Sequence, residues 1–167
     1  MNERQLEQIY DAHASGLFRY LLTFTKSEAD AKDLLQELFV KLARGVKMAG
    51  KSESAFVYRL AHNLAIDWLR RRKTRGERDE RLLAEFGGNG QREADPDAEL
   101  LTRGFAEAME TLPEEQRAIV QLKLCEELTF EEIAAAQGIP LKTAASRYRY
   151  ALEKLRTLLR PLYAQLQ

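Results

Sequence analysis

The chain has 167 residues, enough for one domain or two small ones, and its 26 basic and 26 acidic side chains cancel to a net charge of zero. The single cysteine, Cys125, excludes an intrachain disulfide and a cysteine-based metal cluster, and its apolar neighbours predict a small core residue. No apolar run is long enough to span a bilayer, and the polar start MNERQLEQIY differs from a secretory signal, so a cytoplasmic protein is expected.

The charged residues are distributed unevenly along the chain. Residues 51–81 contain nine Lys or Arg against five Asp or Glu, and residues 82–115 contain two against nine. From residue 116 onward the ratio is eight against five. Two basic segments separated by an acidic one are consistent with two contact surfaces joined by a tether.

The start of the chain predicts two amphipathic helices. Apolar residues recur every three or four positions over residues 3–24, and His13 on that face is expected to be packed rather than to bind a metal. Ser27, three positions before Asp30, predicts the start of a second helix that runs to about residue 44. The polar face of that helix carries Asp30, Asp33, Glu37, Lys41 and Arg44. Residues 45–54 break the period and predict a loop.

Residues 55–73 predict a third helix with two different faces. The apolar face consists of Val57, Leu60, Ala61, Leu64 and Trp68. The polar and basic face consists of Arg59, His62, Asn63, Arg70 and Lys73, with Ile66 among them. This pattern is typical of a helix that is held rigid to meet a polyanion, although a solvated surface helix with C-terminal cations has the same pattern.

The second half of the chain predicts a linker followed by four short helices. The helical pattern is lost from residue 74 to about residue 96, apart from a short apolar patch at Leu82, Leu83 and Phe86. Helices are then predicted over residues 98–110, from Pro113 to about Leu124, from the capping box of Thr129 and Glu132, and over residues 141–159.

The last two helices have the layout of a helix-turn-helix, because a short capped helix and a longer one flank a turn that contains Gly138. The side chains expected to face outward from the longer helix are Thr143, Ala145, Ser146, Arg149 and Tyr150, with Arg147 near the edge. Polar side chains of these types can hydrogen-bond phosphates and base edges. A generic helical hairpin is the alternative.

Two blocks of the sequence resemble a known family. The runs DAKDLLQELFVKL and FVYRLAHNLAIDWLRRRK resemble conserved region 2 of bacterial sigma factors, and LPEEQRAIVQLKLCEELTFEEIAAAQGIPLKTAASRYRYALEKLR resembles their region 4. Together they resemble the minimal group called extracytoplasmic-function sigma factors. The resemblance implies an all-α protein with two small helical domains. Region 2, a helical bundle, would occupy residues 1–74, a flexible linker residues 75–97, and region 4, a helix-turn-helix domain, residues 98–167.

The resemblance also implies a role for each surface. The protein would bind core RNA polymerase, recognise the −35 and −10 promoter elements and assist melting, without a cofactor or catalysis of its own. Core polymerase would dock on Asp30, Asp33, Gln36 and Glu37. The single-stranded −10 element would contact Lys47, Lys51, Arg59, Asn63, Arg70 and Arg71, with Asn63 where the family often places a base-reading residue. The duplex −35 element would contact Lys142, Thr143, Ser146, Arg147, Arg149 and Tyr150.

Several residues depart from the family's usual pattern. Ala145 stands where a cation is common, and Lys142 adds one, which is expected to shift phosphate contacts and sequence preference. Tyr148 replaces a usual leucine and is expected to pack in the core. Ala43 and Val57 replace usual tryptophans, which is expected to affect packing more than function.

The sequence leaves two alternatives open. A stand-alone helix-turn-helix regulator would bind duplex DNA tightly without polymerase, but it leaves the N-terminal half without a task. A helical adaptor would dock on polymerase through the acidic face and give no transcript. An enzyme is disfavoured because His13 and His62 are isolated and no phosphate-binding loop exists. An anti-sigma factor is a further partner that the sequence neither requires nor excludes.

Overall fold

The computed structural model describes residues 1–48, 50, 52–75 and 95–166, and within these ranges the chain contains helices and no strand. The helices are α1 (Glu3–Thr25), α2 (Glu28–Ala43), α3 (Glu53–Arg75), α4 (Pro96–Thr111), α5 (Glu114–Val120), α6 (Phe130–Gln137) and α7 (Leu141–Leu166). A five-residue π-helical segment, Gln121–Cys125, continues directly from α5. The prediction of an all-α fold is confirmed.

Local signals set the helix ends where the sequence predicts them. The Ser27 hydroxyl accepts a hydrogen bond from the Asp30 amide at 3.3 Å. Thr129 and Glu132 form the predicted capping box, with bonds of 3.0 and 3.1 Å between each side chain and the other's backbone amide. Gly138 ends α6 with a φ of 66°, a left-handed conformation that favours glycine. These caps satisfy helix-end amides and carbonyls that would otherwise have no intrahelical partner.

The first bundle consists of α1, α2 and α3, and their predicted apolar faces form its core. The fully buried side chains include Leu17, Leu21, Leu34, Leu38, Leu42, Val57, Ala61 and Leu64. Burial of one such leucine contributes about 1.5–3 kcal/mol. The core therefore fixes α3 firmly against α1 and α2.

The second bundle consists of α4, α5, the π-helical segment, α6 and α7. Ala108, Met109, Leu112, Val120, Ala151 and Leu155 form a small core between α4, α5 and α7. Tyr148 is half-buried, and its ring lies edge-on to Phe130 with 5.4 Å between centroids. It therefore packs as predicted, although it is not fully enclosed.

The two bundles share one continuous apolar core. Ile119, Leu122, Ile133 and Ala136 of the second bundle belong to the same buried cluster as the α1–α3 residues. Because α6 packs along α3, that helix has a second inward face on which Tyr58 and Ala65 are buried and His62 is half-buried. The expectation that His62 lies on the exposed face is therefore wrong.

Cys125 is exposed, so the prediction of a core cysteine is also wrong. The π-helical segment has a wider turn than an α-helix, and this turn shifts its side chains out of the 3.6-residue register. Leu124 is exposed with Cys125 for the same reason.

The ends of the long helices differ from the expectations. α7 continues past the predicted end at residue 159 and contains Pro161. α3 ends at Arg75 and α4 begins at Pro96, so most of the predicted linker, with Leu82, Leu83 and Phe86, lies outside the described residues. None of the described helices combines the length and the apolar character needed to cross a bilayer.

Candidate nucleic-acid and partner interfaces

The four residues predicted to meet polymerase lie together on α2. Asp33, Gln36 and Glu37 are exposed, and Asp30 is half-buried beside the Ser27 cap. Asp33 and Glu37 are four positions apart and therefore neighbours on the helix surface. Buried leucines on the opposite side of α2 hold this acidic face outward.

Three of the residues predicted to meet the −10 strand form an exposed stripe on α3. Arg59, Asn63 and Arg70 are exposed and follow one another at helical spacing. The pair between Arg70 Nη1 and Asp67 Oδ1 is long, 3.9 Å, and at such an exposed position it adds little stability. Arg71 and Lys47 are also exposed, whereas Lys51 lies outside the described residues.

The stripe stands on a helix that is fixed from two sides. Val57 and Ala61 pack toward α1 and α2, while Tyr58 and Ala65 occupy the second buried face. Near the end of α3, the Arg72 guanidinium lies 4.9 Å from the centroid of the half-buried Trp68 ring, a favourable cation–π contact. The exposed amide and guanidinium groups are therefore held on a rigid support.

The residues predicted to meet the −35 element lie in the first half of α7. Ala144 is fully buried, and Ala136 of α6 nearly so, which lets α6 and α7 approach closely. The exposed members of the predicted set are Lys142, Arg149 and Tyr150, and the half-buried members are Thr143, Ser146 and Arg147. Arg147 Nη2 lies 3.5 Å from Glu115 Oε2, so this guanidinium is drawn toward α5 rather than straight outward.

A carboxylate of the second bundle, Glu126, inserts between α1 and α3. Its side chain is only 13% exposed, and its Oε1 atom lies 2.7 Å from Arg19 Nη2. The Gln121 amide donates to the same oxygen at 3.1 Å, and the Tyr58 hydroxyl donates to the carboxylate. A Cβ placed on Gly16 would overlap the Glu126 carboxylate and the Tyr58 hydroxyl, so a larger residue here would displace these side-chain ends from their present contact.

A second polar contact between the bundles joins α6, α1 and α3. Gln137 Nε2 donates to Tyr20 Oη at 3.1 Å, and Tyr20 Oη lies 2.9 Å from His62 Nδ1. The Tyr20 hydroxyl has one proton, and it can donate this proton to Nδ1 in the tautomer in which that nitrogen is unprotonated. Burial, with the nearby positive charge of Arg147, lowers the pKa of His62 and favours this neutral form.

Two further polar contacts cross between the bundles. The buried Arg117 guanidinium donates to the carbonyls of Met109 and Leu112 at 2.9 Å, and at 3.5 Å to the carbonyl of Thr23 in α1. The Ser52 hydroxyl donates to Glu132 at 2.5 Å, and this bond is the main reason that the pKa of Glu132 is lowered.

Sequence reasoning missed these inter-bundle residues. The available signal was the presence of Arg117 and Gln121 within the otherwise apolar run from 117 to 122. Buried polar side chains need partners, so such interruptions indicate a polar contact in the core.

Comparisons with known proteins agree with this arrangement. Residues 9–75 match the family described as Sigma-70 region 2, and residues 108–157 match Sigma-70, region 4. The ECF RNA polymerase sigma-E factor of Haemophilus influenzae is 32% identical over 155 residues, which cover 85% of this chain and 81% of that protein. The chain belongs to the extracytoplasmic-function (ECF) RNA polymerase sigma factors.

Other relatives cover similar shares of this sigma factor. ECF sigma factor SigL of Mycobacterium tuberculosis is 29% identical over 163 residues. These residues make up 94% of this chain and 90% of SigL. ECF sigma factor SigE of Mycolicibacterium smegmatis is 30% identical over 92% of the chain, which spans only 61% of SigE. Sigma factors are transcription initiation factors rather than enzymes, and the presence of both regions rules out the reading as a stand-alone regulator.

Two solved structures share the fold. The sigma factor RpoE in complex with the anti-sigma factor NepR from Bartonella quintana has a TM-score of 0.74 at 19% identity, over 95% of this chain and 98% of that chain. CnrH in complex with the cytosolic domain of CnrY has a TM-score of 0.65 at 22% identity, over 96% and 90% of the two chains. The all-α fold is therefore shared with both of these solved structures.

Proposed function

We propose that this sigma factor acts in the cytoplasm, where it directs core RNA polymerase to promoters and helps to open them. The acidic face of α2 (Asp30, Asp33, Gln36 and Glu37) would bind polymerase. The α3 stripe and its neighbours (Lys47, Lys51, Arg59, Asn63, Arg70 and Arg71) would hold the unpaired −10 strand. The start of α7 (Lys142, Thr143, Ser146, Arg147, Arg149 and Tyr150) would contact the −35 duplex.

The observation that carries the proposal is the exposed stripe on the rigid α3 helix. Taking a base out of the stack costs a few kcal/mol, which contacts to the unpaired strand have to offset. The Asn63 amide can both donate to and accept from a base edge, and Arg59 and Arg70 can hold the backbone on either side. Because packing already fixes the helix, little conformational entropy is lost when the strand binds.

The geometry of α7 supports duplex contact by the second bundle. Lys142 and Arg149 are exposed and positioned for phosphates, and the exposed Ala145 leaves room between them for close approach. Arg147 has first to leave Glu115, which costs little because partly exposed ion pairs contribute only about 0–1 kcal/mol.

The proposed domain division places region 2 in residues 1–74, the linker in 75–97 and region 4 in 98–167. The end of α3 at Arg75 and the start of α4 at Pro96 support these boundaries. We also propose an anti-sigma factor as a regulatory partner, supported by the solved complex of RpoE with NepR, which shares the fold.

Transcription in vitro with core polymerase and a genomic DNA library tests the proposal. The full chain should produce transcripts whose start sites share two upstream motifs. On one such promoter, Asn63→Ala should reduce open-complex formation about tenfold or more, the loss expected for one base contact. The exposed α1 amide variant Gln8→Ala serves as the control and should behave as the wild type.

Binding of each variant to core polymerase separates the two roles of the first bundle. Asn63→Ala should keep its affinity for core polymerase, and an equal loss of both activities would show that Asn63 does not read the strand. The absence of any transcript from the wild type would refute the proposed function itself.

A further inference from the structure

The first turns of α7 present two apolar side chains to solvent. Leu141 is the first residue of the helix and is 49% exposed. Ala145, about one turn further on, is also exposed, whereas the adjacent Ala144 is fully buried. Residues four positions apart are neighbours on a helix surface, with about 5–6 Å between their Cβ atoms. Leu141 and Ala145 therefore form one short apolar strip on the outer side of α7.

The surroundings of this apolar strip suit a nucleic acid. Residues 141–152 contain three basic side chains and no acidic one. Lys142 and Arg149 are exposed on the same side of the helix, and the half-buried Ser146 lies between them. Single exposed leucines are common on protein surfaces, but Leu141 stands within the part of α7 that is proposed to meet DNA. A polyanion is the partner that this distribution of charge fits.

The backbone at the start of α7 is fixed by its own contacts. The Ile139 amide donates to the carbonyl of Ala134 in α6 at 3.1 Å, and Ile139 packs against the core. The Pro140 carbonyl accepts from the Ala144 amide at 3.1 Å, so the helix begins directly after the proline. Leu141 is therefore held in place before any ligand binds, and little backbone entropy is lost when it makes a contact.

The major groove of DNA offers one apolar group to such a strip, the C5-methyl group of thymine. The first residues of a recognition helix are the ones that reach base edges. The rise from Leu141 to Ala145 is about 6 Å, close to two base-pair steps of about 3.4 Å. The two side chains can therefore meet methyl groups on base pairs that lie one or two steps apart.

We propose that Leu141 and Ala145 recognise thymine in the −35 element through its C5-methyl group, while Lys142 and Arg149 hold the adjacent phosphates. This inference rests on the proposed function, because it needs α7 to enter the major groove. The family resemblance does not imply the contact, since a cation is common at the position of Ala145. The apolar strip gives this chain a sequence preference of its own.

Replacement of single thymines by deoxyuridine tests the proposal, because it removes only the methyl group. The full chain is assembled with core polymerase, and its affinity is measured for promoter duplexes that carry one such replacement each in the −35 element. The wild type should lose affinity about fourfold, the effect of burying one methyl group, at one or two positions. Two such positions should lie no more than two base pairs apart.

Variants of the apolar strip identify the side chains in contact. Leu141→Ala should bind the thymine and deoxyuridine duplexes equally at one of these positions. Ala145→Lys should lose the preference at the same or the second position, and it should increase the slope of log affinity against log salt by about one, since it adds a cation. Leu158→Ala is the matched control and should keep the full preference, because Leu158 is a similarly exposed leucine further along α7.

Three results would overturn the thymine contact while leaving the proposed function intact. They are a −35 motif without a fixed T·A pair, a wild type that binds all deoxyuridine duplexes as tightly as the thymine duplex, and Leu141→Ala and Ala145→Lys variants that both keep the wild-type preference. In the last case, an equal loss of affinity for every duplex in Leu141→Ala would assign Leu141 to a protein contact. A wild type that gives no transcript would refute the proposed function, and the thymine contact with it.

Discussion

Arg117 shows how a charged residue becomes part of a core. Its side chain is 3% exposed, yet its guanidinium has carbonyl partners on α4, on the turn after α4 and on α1. Burial lowers the pKa of Arg117, and the nearby charges of Glu114 and Glu110 act in the opposite direction. The residue thereby satisfies carbonyls at the end of α4 that helix geometry leaves without partners.

Replacement of Arg117 by Ala should lower the free energy of unfolding by about 3 kcal/mol or more, because several buried carbonyls lose a charged donor. Arg117→Lys should recover only a small part of this, since one ammonium group cannot match the planar guanidinium. Urea denaturation provides the measurement, with the exposed Arg103→Ala as control, expected within about 0.5 kcal/mol of the wild type. A loss below about 1 kcal/mol for Arg117→Ala would contradict this role.

Among the elements, α3 connects the two bundles through its inner face. His62 on this face lies against Tyr20 and Phe24 of α1 and near Arg147 of α7. Gln137 of α6 is linked to it through the Tyr20 hydroxyl. The pKa of His62 lies below its usual value of 6.5 in this environment. The packed state therefore holds a neutral imidazole.

The sign of the pH effect follows from this shift. Well above pH 6.5 His62 is neutral in both the packed and the exposed state, so it adds no pH dependence to the packing of the bundles there. Below pH 6.5 the exposed imidazole binds a proton more readily than the packed one, so stability falls as the pH decreases. Glu132 does not contribute in this range, because its pKa is lowered from an ordinary value of 4.5 and it stays ionised.

We expect the melting temperature of the wild type to decrease from pH 7.5 to pH 5.5 by more than that of His62→Gln. Glutamine keeps an oxygen that can accept from Tyr20 but has no proton to gain in this range. Thermal melts followed by circular dichroism at each pH make the comparison. Parallel pH profiles for the two proteins would show that His62 does not titrate in this contact.

The recognition role of α7 has its own test in the salt dependence of duplex binding. Arg149 is exposed near the start of the helix, and its guanidinium lies 5.7 Å from the Tyr150 ring centroid. If Arg149 contacts a phosphate, Arg149→Ala should reduce the slope of log affinity against log salt by about one. Fluorescence anisotropy over a salt series measures the slope, with the exposed Arg160→Ala, near the other end of α7, as control. An unchanged slope would exclude the phosphate contact.

At the scale of the whole molecule, the sequence predicts the features that depend on residues close together in the chain, such as helix caps and exposed helix faces. Ser27, Thr129 and Gly138 act through hydrogen bonds within a few residues, so their caps could be predicted. The exposed faces of α2 and α7 follow from helical periodicity. The individual roles of Asn63 or Arg149 came from the family resemblance and stay predictions.

The contact between the bundles could not be predicted in the same way. Arg19 and Glu126 are 107 positions apart, and Tyr20 and Gln137 are 117 apart. The periodicity of one helix carries no information about a partner so far away in the sequence. The prediction that His62 lies on the exposed face of α3 is wrong for this reason. The prediction that Cys125 is a core residue is wrong for a different reason. The pattern of the sequence does not distinguish a π-helical turn from an α-helical one.

The π-helical turn has a consequence for the register of the chain. Its closing hydrogen bond joins the amide of Glu126 to the carbonyl of Gln121, five positions earlier, where an α-helix would use four. Each residue turns an α-helix by about 100°, so a chain one residue shorter here would aim the Glu126 side chain away from Arg19. The single extra residue therefore determines whether the Glu126 carboxylate can reach Arg19 of α1. Insertions or deletions in Gln121–Cys125 are expected to affect the contact between the bundles rather than either bundle alone.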